Sequence, residues 1–532
     1  MQGSGLKESA LSRVRPLRPA LLALLLCCAG CATLRTDVPK QQSQALPPQA
    51  DTPSSRYIES ELKKHAGLSG FRVLSKADNA LLSRIVLADH ARHSIDLQYY
   101  IFNNDATGRL LAQRLLTAAD RGVRVRILVD DINAGKANSM LSALATHANI
   151  EVRMFNPFRT RSPSIFSKAA QLVIEARRLN RRMHNKSFIV DGWVAVLGGR
   201  NIGDEYFDAA KEASFRDLDV ITIGPVVADT ENSFDKYWNA DAAYPLIELR
   251  PSKPAASSVR EERHDLAEDA RQFAQSDYAQ AVLEDMPEGP TADRRGEWFW
   301  GNAQFIADEP EKIDADKDKS ALRMGPQLRQ LFDASRRELV LISPYFVPSE
   351  KGVKYLTGLM QRGVAIKLLT NSLASTDELA VYAWYAHSRT PLLEQGMQFY
   401  ELRPQSSAPQ AASAGGTSAG VSLHAKAAVV DRRFVFVGSM NMDQRSKLLN
   451  TEVGVIVDCP PLAEAVLAFF DAAAQPQTAY TVQLRKDGGR ERVTWHAEDD
   501  GKRVDYDSEP ETDAKKRIQV ALFSVLPIEE LL

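Results

Sequence analysis

Cysteine is scarce and badly placed for structural work. Of four, Cys27, Cys28 and Cys31 crowd one apolar run near the N-terminus, and only Cys459 lies in the body of the chain. They form neither a disulfide framework nor the Cys/His spacing of a zinc site. An excess of one charge is also missing: 66 Lys and Arg stand against 68 Asp and Glu, a formal net charge of −2. The chain as a whole therefore lacks the basic field that tracks nucleic acid, which argues against a nuclease, although a local basic groove stays open. Long apolar runs are absent too. Ala20–Leu26 falls well short of the ~20 residues that a spanning helix needs.

What the N-terminus does hold is Lys7, Arg13, Arg15 and Arg18, then that short run, then small residues before Cys31. This is the layout of a cleavable export signal over residues 1–30, whose removal leaves a mildly acidic mature chain. At 532 residues, with 44% apolar and 25% charged content, the composition is globular and the length asks for more than one core. Residues 31–56 are rich in Gln, Pro, Ser and Ala and are expected to form a flexible tether.

From residue 57 the pattern turns globular, and a first domain is expected over 57–249. Ile95, Leu97, Tyr99 and Ile101 alternate with Asp96, Gln98, Tyr100 and Phe102, which predicts a strand. Leu110, Leu111, Leu115 and Leu116 recur at helix spacing up to Gly122, and VRVRILVDD (123–131) follows as a second strand. Strand, helix, strand in this order predicts a parallel α/β unit. The second half, expected over 321–478, repeats the plan. ELVLISPYFVP (338–348) predicts a strand, a helix covers Val353 to Gln361, and RGVAIKLLTN (362–371) mirrors RGVRVRILVD (121–130). Residues 250–320, including EPEKIDADKDK (309–319), read as a solvated linker or surface insert, and 404–420 as a low-complexity loop. To the tail, 479–532, ending in LPIEELL, composition assigns no function.

The strongest signal is an internal repeat. HNKSFIVD (184–191) and HAKAAVVD (424–431) are offset by 240 residues, and the offset persists from Gly198 to Gly438, Gly199 to Ser439 and Asn201 to Asn441. Upstream, Arg121-Gly122-Val123 matches Arg362-Gly363-Val364. One His-x-Lys could arise by chance; two with shared spacing to Asp, Gly and Asn indicate a duplicated domain. His and Lys at i and i+2 of a strand share a face, so each half can present one imidazole and one ammonium to a common phosphate.

The doubled His-x-Lys-x4-Asp-x6-Gly-Gly/Ser-x-x-Asn motif resembles that of the phospholipase D superfamily, and the likeness runs from about residue 57 to 460. It implies an α/β fold of two duplicated phospholipase D-like α/β sandwich domains, related by a pseudo-twofold axis and sharing one active site. The implied catalytic set is His184, Lys186, Asp191, His424, Lys426 and Asp431. One histidine attacks phosphorus to form a phosphohistidine, and the other protonates the leaving alcohol and then deprotonates the acceptor. Lys186 and Lys426 neutralise the nonbridging oxygens, so neither metal nor cofactor is expected. Asn201, Asn441 and the Ser439 hydroxyl are implied as phosphate donors, with Gly199 leaving the first half one donor short. Asp217 in FRDLDV is expected to orient His184, and Glu452 in NTEVGV to orient His424. Which histidine is the nucleophile stays open. Asp191 and Asp431 also sit where two short strands must turn, which favours a backbone-fixing role for both.

Arg177, Arg178, Arg181 and Arg182 read as a solvated face, with lipid headgroups as the alternative. Tyr99 and Tyr100 read as core. Gln98 and Pro344-Tyr345-Phe346 end strands that should point toward the site. SIDLQYYIF, RNIGDEYF, ISPYFVPSEKG and GSMNMDQRSKLLNTEVGV are similar to segments of bacterial cardiolipin synthases, and DEPEK and LPIEELL to their C branch. The resemblance implies transfer of a phosphatidyl group to phosphatidylglycerol, with phosphatidylethanolamine as a donor, and no nucleic-acid partner. A phospholipase D hydrolase is the alternative, and a nuclease or non-catalytic lipid-binding protein a lesser one. Ala29-Gly30-Cys31 resembles a bacterial lipobox, which implies lipidation at Cys31 and a periplasm-facing, membrane-associated lipoprotein of a Gram-negative bacterium.

Overall fold

The apolar runs of each half become strands buried on both faces, as parallel strands covered by helices are. The structure, a computed structural model, describes residues 38–132, 134–158, 176–210, 213–249, 254–284, 298–315, 319–404, 420–487 and 490–532. The export signal, Cys31 and nearly all of the loop at 404–420 lie outside these residues. The fold described below belongs to one unit, Lys40–Pro157 with Arg177–Leu532; the other, Met1–Pro39 with Phe158–Ala176, falls almost wholly outside the described residues.

The first half contributes β1 (Ser69–Leu74), β2 (Ser94–Tyr99), β3 (Arg124–Asp130), β4 (Ile150–Phe155), β5 (Ser187–Val190), β6 (Val194–Gly198), β7 (Ala213–Arg216), β8 (Asp219–Ile223) and β9 (Ala243–Pro245). All but β7 form one sheet in the order β1-β8-β6-β5-β2-β3-β4-β9. Only β2–β3 and β3–β4 are parallel. The second half contributes β10 (Phe299–Ala307), β11 (Glu338–Ile342), β12 (Ala365–Asn371), β13 (Gln398–Leu402), β14 (Gly420–Leu423), β15 (Ala427–Val430), β16 (Phe434–Gly438), β17 (Val453–Asp458) and β18 (Ala479–Asp487). Its order is β10-β17-β16-β15-β11-β12-β13-β18, with the same two parallel pairs. The two sheets therefore agree strand for strand, the duplicated α/β sandwich that the motif implied. Helices Pro225–Asn239 and Pro460–Ala473 follow the last motif strand of each half, and each opens on proline at a first-turn position that needs no N–H.

Three segments differ from their sequence-based reading. Residues 40–50, expected as a free tether, lie along the first half. The Ser43 and Ala45 amides donate to Asn239 Oδ1 (3.1 Å) and Asp235 Oδ2 (2.8 Å), and Trp193 Nε1 donates to Gln49 O (3.1 Å). Hydropathy misses such a segment because backbone groups, not apolar side chains, hold it. A helix, Pro53–Lys64, then starts from a capping box at Thr52. Second, residues 250–320 are not merely a linker. Helix Ala256–Ala274 lays Leu266 into the first core and holds Arg109 through Glu262 and Asp269. β10 pairs with β1 through Phe299–Gly301 and with β17 through Asn302–Ala307, so one strand joins the two sheets. Third, the tail carries β18 itself, β19 (Arg490–Asp499) and β20 (Lys502–Tyr506), which extend the second sheet, and then helix Ala514–Phe523. Among the described residues no helix is long and apolar enough to cross a membrane.

Candidate active site

Each histidine stands one residue past a parallel pairing between the halves. Met183 bridges Thr451, with the His184 amide donating to Thr451 O and the Thr451 amide to Arg182 O, both at 2.9 Å. Reciprocally, β14 pairs with β7, Leu423 opposite Arg216, and the His424 amide donates to Arg216 O at 2.8 Å. Parallel register puts the next residues side by side: His184 beside Glu452, and His424 beside Asp217. His184 Nδ1 lies 3.0 and 2.9 Å from the two Glu452 oxygens, and His424 Nδ1 lies 2.7 Å from Asp217 Oδ2. The expected orienting pairs are thus exchanged: each carboxylate serves the histidine of the other half. Within one half, the motif strands run antiparallel through β5, β6 and β8, which leaves histidine and acid on strands that are not neighbours.

Lys186 and Lys426 are buried behind the imidazoles. Lys186 Nζ donates to His184 O at 2.6 Å; Lys426 Nζ donates to His424 O and lies 2.9 Å from His424 Nδ1. Aromatic edges wall the rings: Tyr100 stands 4.9 Å from His184, and Tyr206 and Phe215 stand 5.2 and 5.1 Å from His424, centroid to centroid. Tyr100 is therefore a site residue, whereas Tyr99 is core and bonded to Arg84. Gln98 donates to Met183 Sδ at 3.0 Å, and Tyr345 Oη donates to Asp377 at 2.7 Å; Phe346 packs in the second core.

Burial of so many charges together displaces their titrations. Burial lowers Lys186 to about 7 and Lys426 to about 8, against the pull of Glu452 and Asp217. Burial, then Lys186, Lys426 and Arg445, holds His184 well below the usual imidazole range. Burial and Lys426 hold His424 low as well, opposed by Asp217. Burial raises Glu452 to about 7 despite Lys186. For Asp217, burial is outweighed by His424, Lys426 and Arg200, and the carboxyl stays below its ordinary range. A negative group placed between the lysines would raise both again.

Most of the remaining motif side chains have protein partners. Ser439, expected to donate to phosphate, gives its hydroxyl to Glu452 Oε2 at 2.5 Å and accepts from the Val453 amide at 3.0 Å. Gly199, its counterpart, has no room for a side chain, because a Cβ would lie 2.1 Å from Asp217 Oδ1. Asn201 donates to Tyr206 Oη at 2.9 Å and accepts from the Ile101 amide at 3.2 Å, so it braces the aromatic wall. Asn441 is buried, with an Oδ1 that has no partner among the described residues. Asp191 and Asp431, expected in the catalytic set, hold turns. Each accepts three consecutive amides at 2.7–2.9 Å, Arg92 to Ser94 and Arg336 to Glu338 respectively, and each has φ 53°. Five residues of extended chain separate each from its lysine, roughly 17 Å at ~3.3 Å per residue.

The arginine run is not a solvated face. Arg181 donates to Ile313 O and Ala315 O at 2.7 and 2.8 Å. Arg182 donates to Asp130 at 3.2 Å and Asn156 O at 2.9 Å, and Arg178 donates to Asn156 Oδ1 and Pro157 O. The Arg177 side chain lies outside the described residues. Sequence reasoning also missed the part played by DEPEK. Asp308 and Lys312 form a buried pair at 2.8 Å, Asp308 accepts from the Glu452 amide at 2.8 Å, and Lys312 donates to Ser446 O at 2.9 Å. Tyr206 and Arg445 carried no repeat signal, since neither recurs at the 240-residue offset.

Comparison with known proteins bears on the repeat and the fold. The family model for the cardiolipin synthase, PLD-like domain matches twice, over residues 85–238 and 328–473. Cardiolipin synthase C of Escherichia coli (strain K12) is 38% identical over 476 residues, 88% of this chain and 97% of that protein. An uncharacterized protein of Helicobacter pylori (strain ATCC 700392 / 26695) is 33% identical over 514 residues, 94% of this chain and 97% of its own. Among solved structures, phosphatidylserine synthase of Haemophilus influenzae Rd KW20 superposes with a TM-score of 0.55 at 13% identity, over 90% of this chain and 100% of that one, and so shares the fold.

Proposed function

The chain belongs to the cardiolipin synthase family of phospholipase D-like enzymes, which modify phospholipids by phosphatidyl transfer, and from that premise we propose that His184 is the nucleophile and His424 the general acid and base of a phosphatidyltransferase. The supporting observation is the inequality of the two carboxylates. Asp217 is held ionised beside His424, which favours an imidazolium there once an anion offsets the lysines. Glu452, raised to about 7, adds less negative charge beside His184, whose imidazole is held neutral by burial and the neighbouring cations; with its Nδ1–H donated to Glu452, its Nε2 lone pair is available. In the first step Nε2 of His184 bonds phosphorus, the headgroup oxygen departs, and His424 gives it a proton. In the second step His424 takes the proton of the acceptor hydroxyl, whose oxygen bonds phosphorus and releases His184. Lys186 and Lys426 balance the charge on the nonbridging oxygens throughout. Phosphatidylglycerol is the proposed acceptor, phosphatidylethanolamine a proposed donor, and Cys31 the proposed lipid anchor of a periplasm-facing, membrane-associated protein.

The test is mass spectrometry of lipids after incubation of purified enzyme with phosphatidylglycerol and phosphatidylethanolamine, beside a His424→Ala control. Cardiolipin made by wild type alone, with ethanolamine or glycerol released, is the expected result. Phosphatidic acid without cardiolipin would make the protein a hydrolase. For the anchor, Cys31→Ser is expected to move the protein from the membrane to the soluble fraction with its chemistry intact; continued membrane fractionation would refute it.

A further inference from the structure

The helix Ala514–Phe523 inverts the usual order of a surface helix, in which the apolar stripe faces the core. Ile518 and Leu522 recur at i and i+4 of this helix, and Val525 follows just past its end; they are 61%, 62% and 77% exposed. Leu526 and Leu531 continue the patch at 44% and 49%. Five of the eight large apolar side chains recorded as exposed among the described residues thus fall within this one short segment. On the opposite side Val520 packs on the second core. Lys515 and Arg517 are exposed at the start of the helix.

Both ends of the segment are tied to the rim of the active site. Lys516 Nζ donates to Ala374 O at 3.0 Å, in the turn that leads to Asp377, the partner of Tyr345. At the other end the Arg445 amide donates to Leu532 O at 2.6 Å, while the Arg445 guanidinium holds Asn180 four residues before His184. Arg445 is also among the cations that lower His184. An exposed apolar stripe, cations beside it and attachment to the site rim together fit one occupant, a phospholipid leaflet.

We propose that residues 515–531 seat the enzyme on an anionic leaflet. Ile518, Leu522, Val525, Leu526 and Leu531 enter the acyl region, Lys515 and Arg517 lie at phosphate level, and the site rim faces the lipid. The proposal rests on the phospholipid reading of the site. Its test compares Ile518→Ser/Leu522→Ser/Val525→Ser with the parent, both carrying Cys31→Ser so that no acyl anchor supplies binding. Sedimentation with phosphatidylglycerol/phosphatidylethanolamine vesicles is read first. The triple variant is expected to lose about tenfold or more in partition, since three exposed side chains forfeit their transfer into hydrocarbon. Lys515→Gln and Arg517→Gln are expected to lose about fivefold each on anionic vesicles and little on phosphatidylcholine. Turnover of a short-chain phospholipid below its micelle concentration is expected to be unchanged, which confirms the fold of each variant. Vesicle binding equal to the parent overturns the proposal, as does unchanged binding with loss of self-association, which would assign the patch to a second copy of the chain. Vesicle binding is read without turnover, so an inactive parent would refute the functional reading and leave the binding result standing.

Discussion

The two half-sites are built on one plan and finished differently. In the half around His424, a short acid, Asp217, fits against a position that tolerates no side chain, Gly199, and is held ionised. In the half around His184, a longer acid, Glu452, receives the Ser439 hydroxyl, is backed by the buried Asp308–Lys312 pair, and is raised to about 7. Each pairing brings one carboxyl group to one imidazole. What differs is the charge each presents to its imidazole, and hence the role each imidazole is suited to.

The sharpest way to break this comparison is to remove each histidine in turn. His184→Ala is expected to cost about 10⁴-fold or more with every substrate, because the nucleophile is gone. His424→Ala should slow the first step ~10²–10⁴-fold with a natural headgroup, but the burst from a nitrophenyl phosphodiester, whose leaving group needs no proton, much less. It should also accumulate an acid-labile phosphatidyl adduct on His184. Equal losses on both substrates would erase the distinction between the halves. Exchanging the acids for amides comes next. Asp217→Asn should lower kcat by ~10²–10⁴-fold, as loss of an orienting carboxylate does, and Glu452→Gln by less, since that carboxyl is already partly neutral. A steady-state comparison in which Glu452→Gln is the worse variant would reverse the assignment.

The lysines supply a smaller effect with a definite sign. Burial lowers Lys186 to about 7 and Lys426 to about 8, and a bound anion raises both. Binding therefore takes up protons at pH 8, and affinity falls as pH rises through that range. Dimethyl phosphate keeps one charge throughout, so calorimetry with it in buffers of different ionisation enthalpy reads the uptake directly; no proton uptake would mean that the lysines keep their charge without ligand. The smallest catalytic effect belongs to the turn aspartates. Asp191→Ala and Asp431→Ala should each leave kcat within a fewfold and lower stability by about 2–4 kcal/mol, as loss of several charge-assisted bonds does, measured by urea unfolding. A large loss of kcat with unchanged stability would return them to the chemistry.

How much of this was legible in the sequence depends on how far apart the partners lie along the chain. The repeat, the strands at 94–99 and 124–130 and the His-Lys pairs are local patterns, and hydropathy and spacing report them. The His184–Glu452 and His424–Asp217 pairs span 268 and 207 residues, and only the strand pairing between the halves decides them; intrahalf order pointed to the opposite match. Asn201 and Ser439 are polar residues of the motif, yet the side chains beside them claim their hydrogen bonds. The segment 40–50 escaped notice because its stabilising contacts are backbone amides and carbonyls. Helix Ala256–Ala274 escaped notice because only Leu266, Ala270 and Phe273 mark its buried side, in a stretch otherwise polar.

The reciprocal pairing of residues 183 with 451 and 423 with 216 is the contact pattern of an isologous interface, in which the same surface meets its own copy. A free dimer of one repeat could form it, but its two histidines would be chemically identical, and each arriving phosphate would choose the attacker by its orientation. Joining the copies in one chain removes that degeneracy. Drift at 199 and 439, 217 and 452, can then write polarity into the site, so that a substrate entering one way meets its nucleophile and entering the other way does not.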